Sequence, residues 1–105
     1  MVTAAATPRA EVTVYSPLFS PFRQQLQGST ISIGRASDCT IPIKDRYLSR
    51  RHAEIRRRGP VVVLIDLDST NGTIVNGRRV REHPLADGDR ITLGNSRLTF
   101  ERRTT

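Results

Sequence analysis

The strongest constraint on this chain is its rhythm. Short apolar alternations of period two recur along its length, and turn-forming residues cut each one off. No window long enough for a helix keeps apolar residues at the i, i+3, i+4, i+7 spacing, so helices are not expected. Val12 and Val14 share one face of a strand over Glu11 to Tyr15, and Phe22, Gln24 and Leu26 mark a weaker one after the awkward Ser16–Pro21 stretch. Ile31 and Ile33, then Ala53 and Ile55, alternate with polar neighbours. Ile41 and Ile43 bracket Pro42, which has no N–H for a ladder and therefore suits a sheet edge. Val61 to Leu67 is apolar throughout except for Asp66, as expected of a central strand. Further strands are expected over Thr73 to Val75, Arg79 to Val80, Arg90 to Leu93 and Leu98 to Glu101.

The punctuation agrees with the rhythm. Asn71-Gly72 and Asn76-Gly77 are Asn-Gly pairs, a strong hairpin signal because both residues tolerate positive φ. Arg58-Gly59-Pro60 and Asp87-Gly88-Asp89 are further breaks. Many short strands without helices between them predict an all-β, two-sheet sandwich of about ten or eleven short, mostly antiparallel strands. The chain's 105 residues make one domain, expected over residues 11–103, with residues 1–10 as a disordered lead-in. In a sandwich, function collects on loops held by the rigid scaffold.

Composition narrows the chemistry. The net charge is +7 and Lys44 is the only lysine, so the excess is arginine, which fits either a GC-rich bacterial genome or a need for phosphate-matching forks. A basic surface predicts an anionic partner: a phosphopeptide, a nucleic acid or an anionic surface. Cys39 stands alone, so no intrachain disulfide forms. No apolar run has the length of a signal sequence or a membrane span, and a cytoplasmic protein is expected.

Three clusters at strand–loop junctions carry unusual chemistry. They are Gly34-Arg35, Ser49-Arg50-Arg51-His52, and Asp68-Ser69-Thr70-Asn71-Gly72. Together they offer guanidinium, hydroxyl and amide donors, an inventory for binding a compact anion. Charge-assisted hydrogen bonds of this kind contribute roughly 1.5–3 kcal/mol each, and a phosphate monoester supplies three acceptor oxygens.

In order and spacing, Gly34-Arg35, Ser49-x-x-His52 and Asn71-Gly72 resemble the signature of forkhead-associated domains, and the similarity runs over almost the whole chain, from Glu11 to Arg103. The resemblance implies a phosphothreonine-dependent interaction module that docks phosphorylated partners in Ser/Thr kinase signalling. It implies that Arg35, Ser49 and Arg50 contact phosphate and that Thr70 lines the same pocket. Asn71 matches the asparagine that hydrogen-bonds the peptide backbone, and Gly34, His52 and Gly72 match positions that shape the site. The loop with Gly94, Asn95 and Ser96 corresponds to the one that reads the third residue after the phosphothreonine. Selectivity for threonine over serine is likewise implied by family. Burying one methyl contributes only about 0.8 kcal/mol.

Other readings are weaker. Ser49 and His52 do not make a catalytic pair, because no acid is spaced to orient the histidine. No enzyme activity and no catalytic residue are expected. Asp66 to Gly77 superficially resembles a calcium loop, but Asn71 and Gly77 fall where glycine and glutamate are required. No zinc spacing exists either, so neither metal nor cofactor is expected. The alternative is electrostatic nucleic-acid or anionic-surface binding through Arg56-Arg57-Arg58 and Arg78-Arg79-Val80-Arg81, although few aromatics accompany them for base stacking. The expected partner is a phosphothreonine-containing protein or peptide, with no obligatory nucleic acid, no membrane span and a monomeric isolated domain.

Overall fold

The computed structural model describes residues 9–103, with the Arg103 side chain left aside. Eleven strands run in chain order: β1 (Arg9–Ser16), β2 (Phe19–Gln25), β3 (Thr30–Gly34), β4 (Ile41–Pro42), β5 (Ala53–Arg58), β6 (Val61–Asp66), β7 (Thr73–Val75), β8 (Arg78–Val80), β9 (Glu82–Pro84), β10 (Arg90–Leu93) and β11 (Ser96–Arg103). One sheet has six strands in the order β2-β1-β11-β10-β7-β8, and the other has five in the order β4-β3-β5-β6-β9. All pairs are antiparallel except β3–β4.

The alternations seen in the sequence become the two inner faces, because successive side chains point to opposite sides of a strand. Val12 lies opposite Phe100 and Val14 opposite Leu98 in the six-stranded sheet. Ile31 pairs with Ile55, and Ile55 with Leu64, in the other. All seven are buried in one core with Ile33, Ile41, Ile91 and Leu93. A one-residue slip of any of these strands would turn its apolar set outward, so the core fixes register. Val63 points away from that core yet is also buried, flanked in register by Arg56 and Pro84. Burial on both faces explains why β6 reads as a continuous apolar run.

Three expectations need adjustment. β1 begins at Arg9, with Arg9 and Ala10 paired to Arg103 and Arg102, so the first strand starts inside the expected lead-in; residues 1–8 lie outside the described residues. The awkward segment after Tyr15 is a hairpin in which Pro17-Leu18 joins β1 to β2, with a register shift between Val14 and Ser16. Its prolines sit where no ladder N–H is needed. β9 was not legible, because Glu82-His83-Pro84 carries no apolar alternation and is a strand only through its pairing with β6.

Strand direction sorts the connections. The segments joining β1–β2, β3–β4, β4–β5, β6–β7 and β10–β11 gather at one end, and those around 27–29, 58–61, 76–77 and 85–89 at the other. All three sequence clusters fall at the first end.

Candidate anion-binding site

The floor of the site is backbone. Arg35 N–H donates to Ser49 O at 3.0 Å, and Ala36 N–H to Arg50 O at 3.0 Å, which clamps the loop after β3 onto the loop before β5. Gly34 permits this approach: a Cβ there would lie 2.2 Å from Arg50 O. Glycine is thus required by space rather than by φ. Cys39 is a buried filler whose thiol donates to the same Arg50 carbonyl at 3.3 Å.

The cationic and hydroxyl groups stand on this floor. Arg35 Nε donates to Leu48 O at 3.2 Å, which aims the guanidinium and leaves its two terminal nitrogens for a ligand. Ser49 Oγ accepts from Thr70 N–H at 3.1 Å, so its lone pair is engaged and its own proton can point outward. Of the adjacent arginines, Arg51 is turned aside onto Asp38 at 2.8 Å, whereas Arg50 is exposed without a carboxylate partner among the described residues.

His52 joins two loops from beneath. Ser49 N–H donates to its Nδ1 at 3.1 Å, so the ring proton sits on Nε2, which donates to Gly72 O at 2.8 Å. Both nitrogens are used, and the ring is fully buried. This is a structural histidine. Gly72 has φ +86°, and a Cβ there would lie 2.6 Å from Arg79 Nε. Asn71 does not adopt positive φ, so Asn71-Gly72 is not a hairpin pair, unlike Asn76-Gly77, where φ is 50° and 87°. Asn71 Nδ2 instead donates to Tyr47 O at 2.7 Å, leaving its carbonyl oxygen open.

Two aspartates, Asp45 buried and Asp66 half-buried, hold the loops in place, and sequence reasoning missed both. Asp66 accepts from Ser69 Oγ at 2.5 Å, Ser69 N–H at 3.1 Å and Thr73 Oγ1 at 2.7 Å. Ser69 Oγ in turn accepts from Gly72 N–H at 3.0 Å. Burial alone would raise the Asp66 pKa, but these donors outweigh it and hold it below its ordinary value. Asp45 accepts from Tyr47 N–H at 2.9 Å through one oxygen, and from Asn95 N–H at 2.7 Å and Ser96 Oγ at 3.1 Å through the other. It thereby fixes the β10–β11 turn against the loop before β5. An Asp bonding the N–H two residues on is a local turn motif, and Asp45-x-Tyr47 was the available signal.

The candidate residues therefore converge. Arg35, Ser49, Arg50 and Thr70 share one cluster, and Asn71 lies beside it. A hollow of about 240 Å³ opens next to Asn71, bounded by Tyr47, Gly72, Ile74, Thr92, Gly94 and Asn95. Ser96 is the exception: it is fully buried and bonded to Asp45, so within the loop expected to face the ligand only Gly94 and Asn95 reach the hollow. Among the described residues no His/Cys/Asp/Glu group could hold a metal ion.

Comparison with known proteins points the same way. Residues 31–94 match the family model described as FHA domain. FhaA, an FHA domain-containing protein of Mycobacterium tuberculosis, is 52% identical over 75 residues, 71% of this chain and 14% of its own length. Glycogen accumulation regulator GarA of Mycolicibacterium smegmatis is 43% identical over the same share of this chain and 48% of its own length. The crystal structure of the FhaA FHA domain complexed with the intracellular domain of Rv3910 superposes with a TM-score of 0.81 at 41% identity, covering 88% of this chain and 99% of that one. The chain thus spans between about a tenth and about half the length of the curated relatives it matches.

Proposed function

This chain belongs to the forkhead-associated (FHA) family, and from that premise we propose that it docks proteins phosphorylated on threonine in Ser/Thr kinase signalling and transforms nothing chemically. One observation carries the reading. The Arg35 guanidinium, the Ser49 hydroxyl and the Thr70 backbone are locked into one cluster by the bonds from Arg35 to Leu48 O and from Thr70 N–H to Ser49 Oγ. Donors held in advance lose little freedom on binding, so more of the charge-assisted bond energy remains as affinity.

In this reading Arg35, Ser49 and Arg50 hold the phosphate and Thr70 lines its pocket. Asn71 bonds the peptide backbone through its open carbonyl oxygen. Gly34, His52 and Gly72 shape the site, while Gly94 and Asn95 border the path of the following residues. A structure in this family carries the description "phosphothreonine-dependent FHA domain interactions", and another holds EmbR of Mycobacterium tuberculosis with a phosphopeptide. A catalytic role gains no support from His52, whose ring nitrogens are both engaged. A cytoplasmic setting follows from a kinase-dependent ligand, and no helix of the structure is long and apolar enough to cross a membrane. Nucleic-acid binding through the β5 arginines is less favoured, because Arg56 and Arg58 pair with Glu54 and Glu82.

Calorimetric titration with a phosphothreonine peptide library, its phosphoserine twin and its unphosphorylated twin tests the reading. Binding to the first set, weaker binding to the second and none to the third is the expected result. Equal binding to all three would overturn it.

A further inference from the structure

The outer face of the six-stranded sheet is basic, and a groove on it leads away from the phosphate cluster. The hollow beside Asn71 reaches down to Ile74 and Thr92. A second, larger concavity of about 490 Å³ begins at the same Thr92 and continues to Asn76, Gly77, Arg90 and Arg97. Thr92 is the shared wall, so the two form one path down the sheet from Asn71 towards the opposite end. It runs beside β7, where an extended chain of about five residues, at about 3.3 Å each, would cover it.

The rim of this path is cationic and unpaired. Arg90 and Thr92 point outward, because Ile91 and Leu93 between and beyond them are buried. Arg97 lies directly opposite Thr92 in the ladder. Neither Arg90 nor Arg97 has an ion-pair partner among the described residues. The Arg97 guanidinium sits 5.2 Å from the Tyr15 ring centre. Stacking on the ring face fixes the arginine while leaving its N–H edges for a carboxylate. Among the described residues of the six strands, the only carboxylates are Glu11 and Glu101, paired in register away from the groove.

We propose that this groove, rimmed by Arg90 and Arg97, takes an acidic stretch of the phosphorylated partner, lying about four to eight residues from the phosphothreonine. This rests on the reading that Arg35 and Ser49 hold the phosphate, and it adds a second requirement on the ligand. A phosphothreonine peptide without distant charge is then only part of the recognised sequence. The groove's continuity with Asn71 is what favours an acidic peptide over a nucleic acid.

The test compares three phosphothreonine peptides: one with neutral flanks, one with glutamates at the distant positions on the carboxyl side, and one with them on the amino side. Each is titrated into the wild-type chain, an Arg90→Gln/Arg97→Gln double variant and Arg35→Ala, at low and at physiological ionic strength. One of the two acidic extensions should tighten wild-type binding about five- to tenfold at low salt. That gain should vanish in the double variant, while the neutral-flank peptide binds the double variant as it binds wild type. Both arginines are exposed, so an unchanged thermal midpoint is expected. An acidic gain that survives in the double variant, or no gain from either extension, overturns the proposal. So does single-stranded DNA that binds wild type more tightly than the acidic peptides and is lost in the double variant. Indifference of the neutral-flank peptide to Arg35→Ala would instead sink the phosphate-site reading, and an unphosphorylated acidic peptide would still report on the groove alone.

Discussion

Both ends of the sandwich are tied by a buried carboxylate, and at one of them a converging cluster of unused donors stands above it. At the far end Asp89 accepts from Asn76 Nδ2 at 2.8 Å and Ala86 N–H at 2.8 Å, with His83 Nε2 at 3.1 Å. Asn76 Oδ1 then accepts from Arg90 N–H at 3.0 Å. These groups satisfy one another across the turns they join. At the other end Asp45 and Asp66 do the same work beneath the surface, while Arg35, Arg50, the Ser49 hydroxyl and the Asn71 carbonyl oxygen face outward above them. The same device therefore serves stability alone at one end, and stability beneath a binding surface at the other. What separates them is the layer of donors above the aspartates.

The largest way to break this comparison is Arg35→Ala. Two lost charge-assisted bonds contribute about 3 kcal/mol together, so phosphopeptide affinity should fall about 100-fold with an unchanged thermal midpoint. A small loss of affinity would mean that the outward donors are not the binding layer. His52→Phe comes next, because it removes both bridging bonds and leaves Ser49 N–H and Gly72 O without that partner. About 2–3 kcal/mol of stability should be lost in denaturant unfolding, since the groups left behind are shielded from water. Affinity should fall with it, because the ring ties the Ser49 loop to the Gly72 loop. Unchanged affinity in a destabilised variant would show that the loops keep their geometry without the ring.

Acid should affect both ends alike. Desolvation of half-buried Asp66 and buried Asp89 would by itself raise their pKa values, but their donors overcome it and lower both. Carboxylates held below their unfolded values stabilise the fold fully above about pH 4, and the contribution is lost as pH falls through the folded values. Stability should therefore drop steeply below about pH 4. Asp89→Asn should flatten part of that dependence and lower stability at neutral pH, because its new amide donor faces Asn76 Nδ2, Ala86 N–H or His83. An unaltered acid profile in the variant would show that Asp89 carries no share of the linkage.

The sequence was most legible where periodicity and motif coincide. The alternations Val12–Val14, Ile31–Ile33 and Ala53–Ile55 predicted buried faces, and the structure has them. The loops carrying Arg35, Ser49 and Asn71 are joined by hydrogen bonds at one end of the sandwich. Less legible was whatever depends on partners distant in the chain. β9 exists through β6 alone, and Asp45 acquires its role from Asn95 and Ser96, about fifty residues on. Ser96 looked available within a polar loop, yet Asp45 draws its hydroxyl inward. Spacing offers Arg56 its partner Glu54, two residues back on the same strand face, but it does not reveal that Arg58 is neutralised, because Glu82 arrives from another strand.

The smallest change isolates the far end. Asn76 has φ 50°, a conformation that glycine adopts freely, so Asn76→Gly preserves the turn and deletes only the side chain's two bonds to Asp89 and Arg90. The bond to an ionised acceptor is the stronger, but glycine's added freedom in the unfolded chain also counts against the variant. A loss of about 1 kcal/mol is expected in chemical denaturation. Affinity for a neutral-flank phosphothreonine peptide should not move, since no bond connects Asn76 to the Arg35 cluster. Changed affinity for that peptide would mean that the two ends are coupled through β7 and β10, and that the far-end network also positions the binding surface.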